Sequence, residues 1–256
     1  MSEKYLLSSV KNAMKILRLF THKQKELGIT EISKKLNISK SSAHRLVSLL
    51  VKEGFLSKNP RTNKYRLGLS ILTLGGVIFS NHELYKEALP IVKKLVHTLN
   101  ESAHICLLEE DQVVYLFRIE SSQPDRLLTY IGRKNPIHCT SEGLCILAYQ
   151  NKRTIEKVLS KKLYAYTPYT ITDPDILKNE LKKIKKQGFA ISKDQFYVGY
   201  VGIAAPIRDY SGKVVSSLSM IGSTARMTDD RFPVFIEHIT QAAKSISEHL
   251  GYIDGK

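Results

Sequence analysis

Five residues near the middle of the N-terminal quarter carry hydrogen-bonding groups: Lys40, Ser41, Ser42, His44 and Arg45. Ammonium, hydroxyl, imidazole and guanidinium groups bind the edges of guanine and adenine and the phosphates beside them. Ser39 directly precedes the set and predicts an N-cap, because a serine oxygen can accept a hydrogen bond from an amide of the first helical turn. The pattern therefore predicts a helix whose N-terminal end presents polar groups to a nucleic acid.

The apolar residues behind these polar groups recur at helical spacing. Ala43, Leu46, Val47 and Leu50 share one face, which predicts that this face is buried in a small core. A second short helical segment begins near Thr30, and a tight turn separates the two segments. Two helices joined in this way predict a helix-turn-helix, with Thr30 and the second helix available to DNA.

A basic hairpin follows the second helix. Strand-forming residues occupy 55–58 and 64–67, and the five residues between them are rich in turn formers. As the wing of a winged helix-turn-helix, Arg61, Lys64 and Arg66 would contact phosphates or the minor groove. Many charged loops are only solvated, but the position directly after the recognition helix favours the wing.

Positive charge is concentrated in this same segment. Residues 1–68 hold 15 Lys and Arg against 4 Asp and Glu, a net charge of +11 out of +15 for the 256-residue chain. The remainder is nearly balanced. A basic segment on a balanced body indicates a polyanionic partner for that segment alone. Double-stranded DNA fits better than a membrane surface, because no long basic amphipathic helix without a core role is visible.

The remaining composition excludes several classes. The longest apolar stretch, 67–79, is too short and too interrupted to span a bilayer. The basic residues scattered through the N-terminus argue against a signal peptide. Three cysteines, Cys106, Cys139 and Cys145, are too few for a disulfide framework, which predicts a reducing, cytoplasmic location.

The body of the chain predicts an α+β fold with a mostly antiparallel sheet. A helical linker is expected over 69–85, its helix ending near Asn81 and a new one beginning near Pro90. Alternating apolar residues predict hairpins at 105–119 and 199–221, another strand at 127–131 and a last helix at 232–250. The predicted division is a DNA-binding domain at 1–68, the linker, and a second domain at 86–256.

Enzymatic and metal chemistry find little support. The sequence contains no nucleophile elbow, H-E-x-x-H, P-loop or G-x-G-x-x-G after a strand. His138 and Cys139 with Cys145 form a partial metal set without the short paired spacing of structural zinc sites, so a core cysteine and a hydrogen-bonded histidine are favoured. We expect no catalytic residue, no metal and no cofactor. An architectural DNA-binding protein is disfavoured because it would not need the large second domain.

With these features in order, the chain resembles the IclR family of bacterial transcriptional regulators almost from end to end. The resemblance rests on LGITEISKKLNISKSSAHRLVSLLVKEGF, on PIHCTSEGLCILA from Pro136 and on GYVGIAAPIRDYSGKVVSSLSMIG from Gly199. It implies a winged helix-turn-helix joined to a GAF-like effector-binding domain, and assembly into dimers or tetramers. It also implies control of a catabolic operon by a small metabolite, with repression favoured over activation.

The resemblance further implies where an effector binds. Such regulators line their pocket with the start of the helix after HCT, the segment before GYVG and the last strand. The corresponding residues are Thr140, Ser141, Glu142, Ser192, Asp194, Gly202, Ser219 and Ile221. Small residues are usual in the family at 141 and 142, and cysteine is frequent at 202.

Glu142 leaves the chemistry of the effector open. Unsatisfied amides at the start of a helix favour an anion, which predicts a small organic acid or a sugar-derived acid. The Glu142 carboxylate could occupy these amides itself, accept hydrogen bonds from hydroxyls of the effector, or point away and only cap the helix.

Overall fold

A computed structural model describes residues 3–21, 24–81, 83–125 and 129–253, without the side chains of 3–7 and 78–81. The chain folds into two compact units, residues 1–81 and residues 82–256. Within the described ranges, no helix is both long enough and apolar enough to cross a bilayer.

The first unit is a three-helix core with a hairpin and a further helix. Its elements are α1 Glu3–Arg18, α2 Ile29–Leu36, α3 Lys40–Lys52, β1 Leu56–Lys58, β2 Tyr65–Leu67 and α4 Leu69–Asn81. The predicted apolar face of α3 is confirmed, because Ala43 and Val47 are completely buried against Ile16 and Ile32 of the other two helices. The hairpin is tied to this core by backbone hydrogen bonds in both directions between Leu27 and Tyr65.

The turn between α2 and α3 is fixed by local hydrogen bonds. Asn37 adopts a left-handed conformation, with φ of 52°, and ends α2. The hydroxyl of Ser33 donates to the carbonyl oxygen of Ile38 at 2.7 Å. Ser39 caps α3 by accepting a hydrogen bond from the amide of Ser42 at 3.1 Å, so the predicted N-cap is confirmed. These contacts set the direction in which α3 leaves the turn.

The second unit is built on one six-stranded sheet in which every neighbouring pair is antiparallel, in the order β5-β4-β3-β8-β7-β6. Its strands are β3 Ser102–Glu109, β4 Gln112–Ile119, β5 Lys134–Pro136, β6 Ala190–Lys193, β7 Tyr200–Arg208 and β8 Val214–Ser223. Its helices are α5 Glu83–Leu99, α6 Ser141–Ala148, α7 Lys152–Leu159, α8 Pro174–Gln187 and α9 Phe232–His249. The predicted α+β class with an antiparallel sheet is confirmed.

Helices cover both faces of this sheet. α5 and α9 pack together against one face, while α6 contacts the strands from the other and is itself covered by α7 and α8. All eight residues of α6 are buried. A helix enclosed on every side is expected to be apolar all round, so the polar side chains of Ser141 and Glu142 in its first turn need a specific explanation.

Two expectations about the elements were wrong. Residues 129–131 are not in a strand, and 126–128 lie outside the described residues; the edge of the sheet is formed by β5 instead. α5 begins at Glu83 and continues through Pro90, where a new helix was expected. An internal proline costs a helix about 3 kcal/mol, but Leu84 and Ala88 before it and Val92 after it are all buried. Burial of this continuous face offsets the local cost.

Candidate functional site

The residues of α3 predicted to contact DNA lie mostly on its exposed side. Four side chains are exposed: Lys40, Ser41, His44 and Arg45. Ser42 is half-buried because it takes part in the cap, where the hydroxyl of Ser39 donates to its hydroxyl at 2.9 Å. Thr30 is exposed in the first turn of α2. The buried face of α3 therefore anchors the helix, and its N-terminal turns remain available to a partner.

The hairpin of β1 and β2 has an ordered turn. Asn59 Oδ1 accepts a hydrogen bond from the amide of Arg61 at 2.9 Å, and Asn63 adopts a left-handed φ of 55°. Glu26 accepts hydrogen bonds from Asn59 Nδ2 at 2.6 Å and from Thr62 Oγ1 at 2.9 Å, and these bonds lower the pKa of its carboxyl. The turn thus holds a defined shape with the Arg61 side chain exposed.

The other two hairpin residues predicted to contact DNA, Lys64 and Arg66, have partners within the unit. Lys64 Nζ lies 3.3 Å from Glu31 Oε2, and the same carboxylate oxygen accepts a hydrogen bond from the amide of Gly28 at 2.7 Å. Arg66 Nε donates to Ser57 Oγ on the opposite strand at 3.2 Å. The ion pair joins the hairpin to the start of α2, so Lys64 supports the position of the hairpin.

A small pocket lies in the second unit between the start of α6 and the sheet. Six of the eight predicted effector residues line it: Thr140, Ser141, Glu142, Ser192, Gly202 and Ile221. The structure therefore brings together residues from the three predicted segments.

Asp194 and Ser219 do not line this pocket. Asp194 follows β6 with a left-handed φ of 60°, and its Oδ1 accepts a hydrogen bond from the amide of Gly199 at 2.6 Å, which closes the loop before β7. Ser219 lies within β8, paired with His104 on one side and Ala204 on the other, and is fully buried. Asp194 shapes the loop beside the pocket, whereas Ser219 lies in the sheet.

Glu142 lines the pocket. The alternative that its side chain points away from the pocket is therefore wrong. Its Oε1 accepts a hydrogen bond from the phenol of Tyr115 at 2.6 Å, and its Oε2 accepts one from the hydroxyl of Ser141 at 3.1 Å. Its own amide also donates to the carboxylate. Burial raises the pKa of this carboxyl, against the lowering effect of the three hydrogen bonds.

Sequence reasoning missed all of the aromatic and amide residues of the pocket. The additional lining residues are Tyr115, Thr129, Asn135, Cys139, Phe196, Tyr197 and Tyr200. Several belong to one chain of hydrogen bonds, in which Arg133 donates to Tyr197 Oη and to Asn135 Oδ1, each at 3.0 Å, and Asn135 Nδ2 donates to Tyr115 Oη at 2.9 Å. The alternation of Val113 and Tyr115 signalled that Tyr115 faces inward, but not that it meets Glu142.

Two glycines allow the start of α6 to approach its neighbours closely. A Cβ at Gly143 would lie 2.4 Å from the carbonyl oxygen of Ile137. A Cβ at Gly202 would lie 2.5 Å from Ser141 Oγ. The hydroxyl at 141 therefore fills the space left by the missing side chain at 202, so these two residues are sterically complementary.

The histidine and the cysteines of the second unit have structural surroundings. His138 Nε2 lies 3.1 Å from the carbonyl oxygen of Tyr164, and burial lowers the pKa of its imidazole. The three cysteines are buried free thiols, and burial raises the pKa of each: Cys106, Cys139 and Cys145. Neutral, buried thiols are poor nucleophiles and poor metal ligands.

Comparison with known proteins extends over both units. The IclR helix-turn-helix domain matches residues 9–60, and the bacterial transcriptional regulator IclR C-terminal domain matches residues 77–248. The chain is 29% identical to the HTH-type transcriptional regulator XynR of Escherichia coli, covering 96% of this chain and 98% of XynR. It is 31% identical to the HTH-type transcriptional regulator KipR of Bacillus subtilis, covering 95% and 97% respectively.

Solved structures agree with the sequence matches. An IclR homolog from Microbacterium hydrocarbonoxydans in complex with 4-hydroxybenzoate superposes with a TM-score of 0.86 at 26% identity, covering 94% of this chain and 98% of the homolog. The matched sequences, the helix-turn-helix of the first unit and the antiparallel sheet of the second all agree. The chain therefore belongs to the IclR family of bacterial transcriptional regulators, which are DNA-binding proteins and not enzymes.

Proposed function

We propose that this protein acts in the cytoplasm as a homo-oligomer that binds a specific operator and represses a catabolic operon. A small organic acid or sugar-derived acid, bound in the pocket beside α6, controls this binding. The observation that carries the proposal is the combination of exposed polar groups on α3 with a separate unit that contains a pocket lined in part by hydroxyl, amide and carboxyl side chains.

The operator is read by α3 and held by the hairpin. Lys40, Ser41, Ser42, His44 and Arg45 supply contacts to base edges and adjacent phosphates, since the N-terminal end of a recognition helix enters the major groove. Thr30, Arg61, Lys64 and Arg66 contact the DNA backbone or the minor groove, which fixes orientation without reading sequence. Arg61 is the best placed of the hairpin residues because it is exposed at an ordered turn.

The effector binds where the pocket concentrates hydrogen-bonding groups. Thr140, Ser141 and Glu142 form the start of α6, and Ser192 on β6 lines the same pocket. Thr129 is 2% exposed, lines the same pocket, and its hydroxyl has no hydrogen-bond partner among the described residues. A buried hydroxyl without a partner is costly and indicates a missing ligand group. The related protein noted above holds 4-hydroxybenzoate, a hydroxylated monocarboxylic acid.

The homo-oligomer is supported by the surface of α4. Leu69, Leu72 and Leu74 are 80%, 72% and 55% exposed. At Gly75 and Gly76 an added Cβ would meet nothing within 4 Å. Large exposed apolar surfaces mark interaction sites in soluble proteins. We propose that α4 of a second copy of the chain buries this apolar surface. A dimer formed in this way would present two α3 helices to a pseudo-palindromic operator.

The acid regulates by binding one arrangement of the oligomer more tightly than another. A ligand shifts such an equilibrium only by its difference in affinity for the two arrangements. Screening small acids by thermal shift tests the effector class, because a ligand that binds only the native state raises the melting temperature. We expect an acid that raises the melting temperature also to change operator affinity. The effector class is wrong if only neutral or cationic compounds stabilise the protein.

A further inference from the structure

Glu142 is a buried carboxylate without a counter-ion. Only 4% of the residue is exposed, and its carboxylate is held by the hydroxyl groups of Tyr115 and Ser141. Among the described residues, no lysine, arginine or histidine forms an ion pair with it. Isolated buried carboxylates are strongly disfavoured in their charged form unless they are paired. The position at the start of α6 offers partial compensation through the helix dipole.

The groups packed around Glu142 do not supply the missing charge. Arg133 directs its guanidinium to Asn135 and Tyr197. On β3, His104 is fully buried with its ring 5.1 Å from that of Tyr115, and burial lowers its pKa to about 3, so it is neutral near pH 7. The ionisable groups that would become negative are kept neutral by a pKa raised through burial: Tyr115 on β4, Cys106 on β3, Cys139 before α6 and Cys145 within it. From β8, Ser217 only donates its hydroxyl to the Glu142 carbonyl oxygen.

The anion-binding groups of the pocket are at the same place. Ser141 donates its hydroxyl to the Glu142 carboxylate, and Thr140 lines the same pocket and caps α6 by accepting a hydrogen bond from the amide of Gly143. No lining residue elsewhere in the described part of the pocket is basic. An acid attracted to the start of α6 therefore meets the Glu142 carboxylate, and two adjacent carboxylates repel unless a proton lies between them.

Resting on the proposed acid effector, we propose that Glu142 determines the charge of the effector that the pocket accepts. The pocket takes a monocarboxylate together with one proton from solvent, which is shared in a hydrogen bond between the effector carboxylate and Glu142. Charge and atoms balance, since two carboxylates and one proton give one hydrogen-bonded pair with a single negative charge. A dicarboxylate would add a second unpaired negative charge and is rejected.

The ligand-free protein provides the first test. Because burial raises the pKa of Glu142, this carboxyl loses its proton less readily in the native state than in the unfolded chain, so its contribution to stability falls as pH rises above the ordinary glutamate value of 4.5. Glu142→Gln removes this penalty. The melting temperature of the variant minus that of the wild type should grow as pH rises from 4.5 to 8. Glu156→Gln, an exposed carboxylate on α7, should show no such trend. An equal difference at every pH would overturn the inference.

Ligand binding provides the second test, on the full-length chain. The probes are 4-hydroxybenzoate and gluconate as monocarboxylates, with terephthalate and glucarate as their dicarboxylate counterparts. For a monocarboxylate that binds, calorimetry in two buffers of different ionisation enthalpy should show uptake of about one proton at alkaline pH, where Glu142 carries no proton before the effector binds. Its affinity should fall about tenfold per pH unit at alkaline pH. Glu142→Gln should abolish both effects and bind more tightly at pH 8, whereas Glu156→Gln should behave as the wild type.

The outcomes separate this inference from the effector class. A monocarboxylate that binds without proton uptake, or a dicarboxylate that binds equally well, contradicts the role of Glu142 and leaves the acid effector in place. If no acid stabilises either protein at any pH while an amine or neutral compound does, both ideas fail. Tyr115→Phe offers a second variant in case Glu142→Gln does not fold. It removes a hydrogen bond that stabilises the carboxylate, so the fall in affinity should begin at higher pH.

Discussion

At the scale of single residues, Arg45 is the strongest candidate for reading a base. Its side chain is exposed on α3, two residues after the fully buried Ala43 that anchors the same turn. Because a guanidinium can bind guanine with two parallel hydrogen bonds, its loss removes both affinity and discrimination. We expect Arg45→Ala to weaken operator binding by about 1–3 kcal/mol and to blur the preference between operators that differ in one base pair.

Fluorescence anisotropy with the operator and its single-base variants measures this effect. Arg153→Ala is the control, since Arg153 is an exposed arginine on α7 in the other unit. A uniform loss on every duplex would assign Arg45 to the phosphates instead.

Arg61 is expected to contact phosphate. Its side chain is exposed at the hairpin turn, and its amide is fixed by Asn59. A cation that neutralises one phosphate contributes about one unit to the salt dependence of binding. Arg61→Ala should therefore weaken all duplexes alike and reduce the slope of log affinity against log salt by roughly one unit. An unchanged slope in a salt titration would show that the hairpin does not touch the backbone.

The residue scale also shows what sequence could and could not predict. Spacing alone predicted that Ala43 and Val47 are buried and that Ser39 caps α3. It did not predict that Lys64 pairs with Glu31, because that contact joins residues 33 positions apart and depends on how the hairpin packs. Similarly, the motif located Glu142 on α6, but its partner Tyr115 lies on strand β4, 27 residues earlier in the chain.

At the scale of elements, the start of α6 depends on a close approach of backbone. A Cβ at Gly143 would lie 2.4 Å from the carbonyl oxygen of Ile137, which is far inside van der Waals contact. Gly143→Ala should therefore destabilise the protein by about 1–3 kcal/mol, although alanine is the better helix former by about 1 kcal/mol. Thermal unfolding should record a melting temperature lower by several degrees.

Asn179→Ala is the control for Gly143→Ala, because it also introduces alanine into a helix. Asn179 is exposed on α8, so alanine gains helix propensity there without a clash and should leave stability equal or slightly higher. If Gly143→Ala were equally neutral, the approach of α6 to residue 137 would not be a constraint.

Elements were predictable where the pattern is local and less so where packing decides. The hairpins and α9 follow from alternation and helical spacing. α5 does not, because a proline normally predicts a helix start, and only the buried face formed by Leu84, Ala88 and Val92 explains its continuation. The edge strand β5 has three residues and too little pattern to be found, since its position is set by pairing with β4.

At the scale of the whole molecule, oligomer formation through α4 is open to a direct test. Leu72 is 72% exposed on an apolar helix. Leu72→Glu would place a charge in the proposed interface, so sedimentation should show a smaller species than the wild type. Two linked DNA-binding domains bind an operator with two half-sites roughly 10²-fold or more tightly than one domain does. Loss of the oligomer should therefore weaken operator binding by a comparable factor.

Ile176→Glu is the control for this change. Ile176 is 59% exposed on α8, and the same substitution there should alter neither size nor binding. An oligomer that survives Leu72→Glu would move the interface to another surface.

Sequence-specific DNA binding is the central claim, and the anisotropy of the full-length protein on its own upstream intergenic DNA tests it most directly. A scrambled duplex of equal length serves as the comparison, at low and at near-physiological salt. We predict a preference for the native duplex that persists at the higher salt, because base contacts on α3 resist screening better than phosphate contacts alone. Equal binding to both duplexes, lost together as salt rises, would contradict the account.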